Sequence, residues 1–139
     1  MGTRSGDIDP SLLQHLMHKT GMSIDEMIKS LNNKSGLLGI SGISPDMRDL
    51  KFNPDKRAQL ARKIFINRIV RYVGSYLVEM GGIDAIVFTA GVGEHDVGVR
   101  KGVMDALKFI SKPDSKVKAM IVPTNEELMI AREVIRLAK

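Results

Sequence analysis

Phe88-Thr89-Ala90-Gly91-Val92-Gly93-Glu94 is the stretch that decides how this chain folds. It grows out of Ala85-Ile86-Val87-Phe88, an apolar run that reads as a strand, and it carries two glycines one residue apart. Asp96 and a new amphipathic segment follow. A strand that passes through glycines into a helix leaves backbone N–H groups free at the helix start. Those donors, with the positive end of the helix dipole, favour an anion such as a phosphate. Gly-x-Gly turns also occur simply to relieve crowding, so the weight of this one comes from its surroundings.

On the upstream side, residues 54–80 have the spacing of one long helix, ended by Gly81-Gly82. Phe65, Ile66, Ile69, Val70, Val73, Tyr76, Leu77 and Met80 fall on one arc, and Lys63, Asn67, Arg68 and Arg71 fall opposite. Residues 85–89 then change period and have the continuous apolar look of a parallel strand buried on both faces. On the downstream side, Val97, Val103, Met104, Leu107 and Ile110 suggest a crossover helix, residues 117–122 a second strand, and Thr124 onward a terminal helix. Strand, helix, strand, helix at this spacing is one right-handed βαβ unit with a covering helix. Two parallel strands are too few for a stable sheet. Further strands are therefore expected from a part of the protein outside this chain, or from a partner.

The first third of the chain reads as helices and a loop. Asp9 can cap a helix whose first position is Pro10, with residues 11–19 helical and Gly21 ending it. Ser23-x-x-Glu26 has capping-box spacing for a second helix, with Ile24, Met27, Ile28 and Leu31 as its apolar face and a break at Asn32-Asn33-Lys34-Ser35-Gly36. Leu37-Leu38-Gly39-Ile40-Ser41-Gly42-Ile43-Ser44-Pro45 reads as an irregular loop anchored by its isoleucines, and Asp46-Met47-Arg48-Asp49-Leu50 closes it.

Composition narrows the class. A chain of 139 residues with 43% apolar residues suits one domain with a real core. With only 4% aromatics, that core must be aliphatic and methionine-rich, so the methionines at 22, 27, 47, 80, 104, 120 and 129 are read as filler. There are no cysteines, which removes disulfides and thiolate metal sites and fits a reducing compartment. No apolar run approaches the ~20 residues that span a bilayer. The N-terminus lacks the apolar centre of a signal peptide, and Gly6 stands where a myristoylation motif wants Ser or Thr. A cytoplasmic protein without membrane partners is expected. The net charge of +5 is either a solvated surface or an attraction to polyanions. Nucleic acid is disfavoured: there is no Trp, and Phe65, Tyr76 and Phe88 lie in apolar patterns that would bury them away from bases.

Some residues could carry chemistry. Pro123-Thr124-Asn125-Glu126-Glu127 follows the second strand, at the sheet edge where ligands of open α/β sheets bind. Thr124 and Glu127 have capping-box spacing, which explains Glu127. Glu126 is either a first-turn acid or a holder of a metal ion or its water. Asp46 and Arg48, two residues apart in a loop, make either a local ion pair or a surface against a base or ribose. Arg4 lies among small residues that suit close backbone approach, where simple disorder is the plainer expectation. His95 follows the glycine loop and would touch whatever binds there. His15 and His18 are spaced i, i+3 without a third ligand and make a poor metal site.

Four stretches in this order carry a resemblance. They are Gly2-Thr3-Arg4-Ser5-Gly6-Asp7-Ile8-Asp9-Pro10, Asn33-Lys34-Ser35-Gly36-Leu37-Leu38-Gly39-Ile40-Ser41-Gly42, Phe88-Thr89-Ala90-Gly91-Val92-Gly93-Glu94 and Pro123-Thr124-Asn125-Glu126-Glu127-Leu128. Together they resemble the C-terminal part of the acetate kinases, over essentially the whole chain. The resemblance implies an α/β fold. It is part of an actin-like ATPase (ribonuclease H-like) lobe, with helices followed by a parallel βαβα unit. Residues 1–53 would be a helical pair and adenosine-side loop, 54–82 the long helix, and 83–139 the βαβα nucleotide-binding unit. It further implies transfer of the γ-phosphoryl of ATP to acetate with Mg²⁺, giving acetyl phosphate and ADP, by a homodimer.

By motif, Arg4 resembles the arginine that stabilises the transferring phosphoryl group. Asp46, Met47 and Arg48 resemble the segment lining the adenosine pocket. Gly91, Val92, Gly93, Glu94 and His95 resemble the second nucleotide-binding loop, and Glu126 the magnesium-associated glutamate. Phosphoryl transfer needs mostly charge stabilisation and alignment, and an arginine fork matches phosphate oxygens. Two departures accompany the match. His95 stands where the family loop usually has Asn. The residues that the family takes from its N-terminal lobe are not in this chain, so the chain alone is expected to be inactive. A non-catalytic nucleotide-binding or dimerisation module, and the equivalent lobe of a propionate or butyrate kinase, are the alternatives. A dinucleotide-binding fold fails on spacing, because Asp96 occupies the third glycine position of Gly-x-Gly-x-x-Gly.

Overall fold

A computed structural model describes residues 1–110 and 117–138. They divide into two compact units, Met1–Ile69 and Val70–Lys139, with the division falling inside the longest helix.

The regular elements of the first unit are all helices. Helix α1 (Pro10–Thr20) begins where Asp9 accepts a hydrogen bond from the Ser11 amide and ends at Gly21, whose φ of 71° only glycine adopts easily. Helix α2 (Ile24–Asn33) has a complete capping box: the Ser23 hydroxyl accepts from the Glu26 amide, and the Glu26 carboxylate accepts from the Ser23 amide at 2.8 Å. Both starts follow the sequence expectation. The burial of α2 does not, since Met27 is buried while Ile24 and Ile28 are exposed. The segment expected to be an irregular loop is instead a short helix, α3 (Gly36–Ser41), anchored by buried Leu37, with Ile43 exposed. Its amides at Leu37 and Leu38 donate to the carbonyls of Met1 and Gly2, and Ser35 donates to Thr3. The N-terminal segment therefore supplies the acceptors that a helix start needs. Helix α4 (Met47–Lys51) follows, capped by Asp46.

Helix α5 (Lys56–Met80) starts two residues later than the periodicity suggests, after a turn in which Asn53 accepts from the Asp55 amide. Its buried residues are Ala58, Ala61 and Arg62 rather than the expected arc. Phe65, Ile66, Ile69, Val70, Val73 and Leu77 are half-buried, whereas Tyr76 and Met80 are exposed. Tyr76 is thus not the buried ring its pattern implied.

The second unit holds the sheet. Strand β1 (Ala85–Phe88) pairs in parallel with β2 (Lys118–Ile121), Phe88 opposite Ile121. The parallel pairing, and the two strands among the described residues, match the expectation. Burial on both faces does not: Phe88 is buried, Val87 is 53% exposed and β2 is exposed along its length. Between the strands lie α6 (Ala90–His95), α7 (Val97–Ala106) and a 3₁₀ turn at Lys108–Ile110. Val99, Val103 and Leu107 are buried, and Val97 points out. The side chain of Ile110, expected on the same face, lies outside the described residues. Helix α8 (Glu126–Leu137) closes the unit, and none of its residues is buried.

Candidate functional site

The glycine stretch is a one-and-a-half-turn helix rather than an open loop. One donor at its start is taken, because the Ala90 amide donates to the Thr124 hydroxyl at 2.8 Å. Ala90 itself sits at φ 58°, a left-handed conformation that an L-alanine avoids. Gly93 packs against the end of β1, where a Cβ would lie 3.3 Å from the Phe88 carbonyl carbon. Gly91 faces open space. The Glu94 carboxylate accepts from the Thr124 amide at 2.9 Å, and this bond holds its pKa below the ordinary carboxylate range. Arg100 donates to the carbonyls of Gly93 and Glu94 at 2.8 and 2.7 Å, satisfying the end of α6 with a positive charge.

Glu126 stands at the first position of α8. The expected capping box of Thr124 and Glu127 does not form. Asn125 is the cap and accepts from the Leu128 amide at 3.1 Å, which releases Thr124 toward β1 and α6. Within this unit, residues 89–95 and the start of α8 are therefore brought together through Thr124.

In the first unit, Arg4 is exposed, on a segment whose backbone is hydrogen-bonded to α2 and α3. The Ser5 amide donates to Leu31 at 2.9 Å, and Gly36, at φ 58°, allows three carbonyls to crowd it. A Cβ there would meet those of Met1, Arg4 and Gly2 at 2.5, 2.8 and 3.0 Å. Asp46 and Arg48 form the local ion pair. Arg48 Nη2 lies 2.5 Å from Asp46 Oδ2, and Nε lies 3.1 and 3.0 Å from the two oxygens. These bonds pull the Asp46 pKa down to about 2. The outer face of Arg48 remains exposed. Met47 is only 5% exposed, so its side chain belongs to the core. Sequence reasoning passed over two arginines here. Arg57 donates to the carbonyls of Ile40 and Gly39 at 2.8 and 3.2 Å, and buried Arg62 donates to Met47. No sequence pattern separates such side chains from ordinary surface charges on a helix. His15 and His18 are exposed on α1, and no group of three metal-ligating side chains occurs among the described residues.

Residues 1–132 match the acetokinase family. The chain belongs to the acetokinase family. Acetate kinase of Fructilactobacillus sanfranciscensis is 55% identical over 99% of this acetokinase chain, and that of Bacillus subtilis is 49% identical over all of it. A crystal structure of Porphyromonas gingivalis acetate kinase superposes with a TM-score of 0.87 at 39% identity over the full chain. A propionate kinase from Francisella tularensis gives 0.86 at 38% identity over 96%. The fold is accordingly mixed α/β, mostly helical with a small parallel sheet, and consistent with a partial actin-like lobe. The acetokinase chain spans 40% of the length of the two curated relatives and of the P. gingivalis protein, and 39% of the F. tularensis one. The match to the F. sanfranciscensis enzyme runs over 161 positions. That enzyme therefore carries residues inside the matched stretch that have no counterpart here. No described helix is long and apolar enough to cross a membrane.

Proposed function

We propose that this chain is the C-terminal part of an acetate kinase, a cytoplasmic homodimer that moves the γ-phosphoryl of ATP to acetate. A carboxylate oxygen of acetate attacks the γ-phosphorus, the bond from that phosphorus to the β-phosphate oxygen breaks, and acetyl phosphate and ADP leave. The family match over residues 1–132 carries this reading. Arg4 steadies charge on the transferring group. Residues 46–48 face the adenosine, through the exposed side of Arg48 and not through the buried Met47. Gly91, Val92, Gly93, Glu94 and His95 meet the nucleotide. Because the Glu94 carboxylate is already held by Thr124, its part in the site is through backbone placement.

Magnesium fits the donor chemistry. Mg²⁺ typically takes one or two protein carboxylates and completes its shell with phosphates and water. A single glutamate, Glu126, at the first turn of α8 suits that demand better than a closed protein cage would. When bound, the ion neutralises charge on the phosphates and helps align them.

Calorimetry with ADP and Mg²⁺ tests the proposal. Arg48→Ala and Gly91→Val are expected to weaken binding at least tenfold, about 1.4 kcal/mol. Gly91→Val is informative because a Cβ at Gly91 would meet open space. No heat with the parent chain would favour an assembly module without nucleotide. A coupled assay with acetate is expected to show no turnover by the chain alone. The similarity to the F. tularensis propionate kinase supports one second reading, a lobe that serves propionate.

A further inference from the structure

We propose that Thr124 is a positioning residue that fastens residues 89–95 to the start of α8, so that the groups assigned to nucleotide and to metal keep one fixed separation. This rests on the function proposed above. Thr124 is bonded three times over. Its amide donates to Glu94 at 2.9 Å, its hydroxyl accepts from the Ala90 amide at 2.8 Å, and the same hydroxyl shares a hydrogen bond of 2.6 Å with the Thr89 hydroxyl. The two ends of α6 are thus held by one residue, which sits two positions before Glu126. A hydroxyl offers one donor and two acceptor sites, so this one bridges both neighbours in a way valine cannot.

Two observations make this more than an ordinary turn. Thr124 has the spacing to cap α8 and does not; Asn125 does that work, leaving the threonine free for the link. Ala90, the partner of its hydroxyl, is the non-glycine residue at positive φ among the described residues. Backbone held in a sparsely populated conformation persists only where its surroundings fix it, and such places cluster at ligand sites.

Amide hydrogen exchange and ADP titration on the full 139-residue chain test the link, using Thr124→Val and Thr124→Ser. Valine keeps the shape and removes the hydroxyl, while serine keeps the hydroxyl. Thr124→Val is expected to speed exchange of the Ala90 amide about tenfold, the loss of one ordinary hydrogen bond. It is also expected to weaken Mg²⁺–ADP binding by a similar factor, and to weaken binding of ADP in EDTA less. Thr124→Ser is expected to restore all three values. Unchanged Ala90 exchange in Thr124→Val, equal damage from both substitutions, or equal losses with and without Mg²⁺ would each overturn the proposal. If the parent takes up no ADP, the proposed function falls, and the exchange comparison still decides whether the link exists.

Discussion

Asp46 and Arg48 show what a spacing of two residues can and cannot reveal. Opposite charges so placed suggested either a mutual pair or a ligand surface, and the structure contains the pair. Because the Asp46 pKa is lowered to about 2 from its ordinary 3.8, the pair contributes fully above pH 3.8 and is lost as pH falls through about 2. A carboxyl-carbon NMR titration should place the Asp46 midpoint near 2, and Arg48→Ala should return it toward 3.8. Gly36 carries a sharper expectation. Gly36→Ala and Gly21→Ala both force alanine to positive φ, which costs about 1–2 kcal/mol. Gly21 has open space around it, whereas Gly36 would drive a Cβ into three carbonyls. Urea unfolding should show Gly36→Ala losing about 1–3 kcal/mol more, the usual cost of overpacking. Arg4 could be suspected from its small neighbours. The hydrogen bonding of its backbone could not, because the carbonyl acceptors and the amides of residues 35, 37 and 38 lie more than thirty residues apart along the chain.

Element starts were legible because capping is local chemistry. Asp9, Ser23 and Glu26 announce their helices within three residues, and the structure obeys them. Ser23→Ala should cost about 1 kcal/mol in a thermal or urea melt, since it strands the Glu26 amide. The failures came where tertiary bonds outweigh local pattern. The 37–45 segment reads as a loop because its glycines and serines are poor helix formers. It becomes α3 because Met1 and Gly2 accept from its first amides and Arg57 covers the carbonyls of Gly39 and Ile40. Thr124 likewise had capping-box spacing with Glu127, and in the folded neighbourhood of β1 it bonds Thr89 and Ala90 instead. The βαβα order was readable from the change in period, but the exposure of β2 was not, because periodicity says which residues are apolar and not whether anything covers them.

At the scale of the whole molecule, few large side chains among the described residues are fully buried. Leu50, Val99 and Val103 are the largest fully buried ones. Leu50→Ala should lose about 2–5 kcal/mol in denaturant unfolding. Ile130→Ala, on exposed α8, should lose less than about 0.5 kcal/mol. If the two cost the same, burial in the isolated chain does not govern its stability. The Met1 carbonyl, fixed on the Leu37 amide, also has a practical corollary. A purification tag or fluorescent fusion joined ahead of Met1 would emerge beside the first turn of α3.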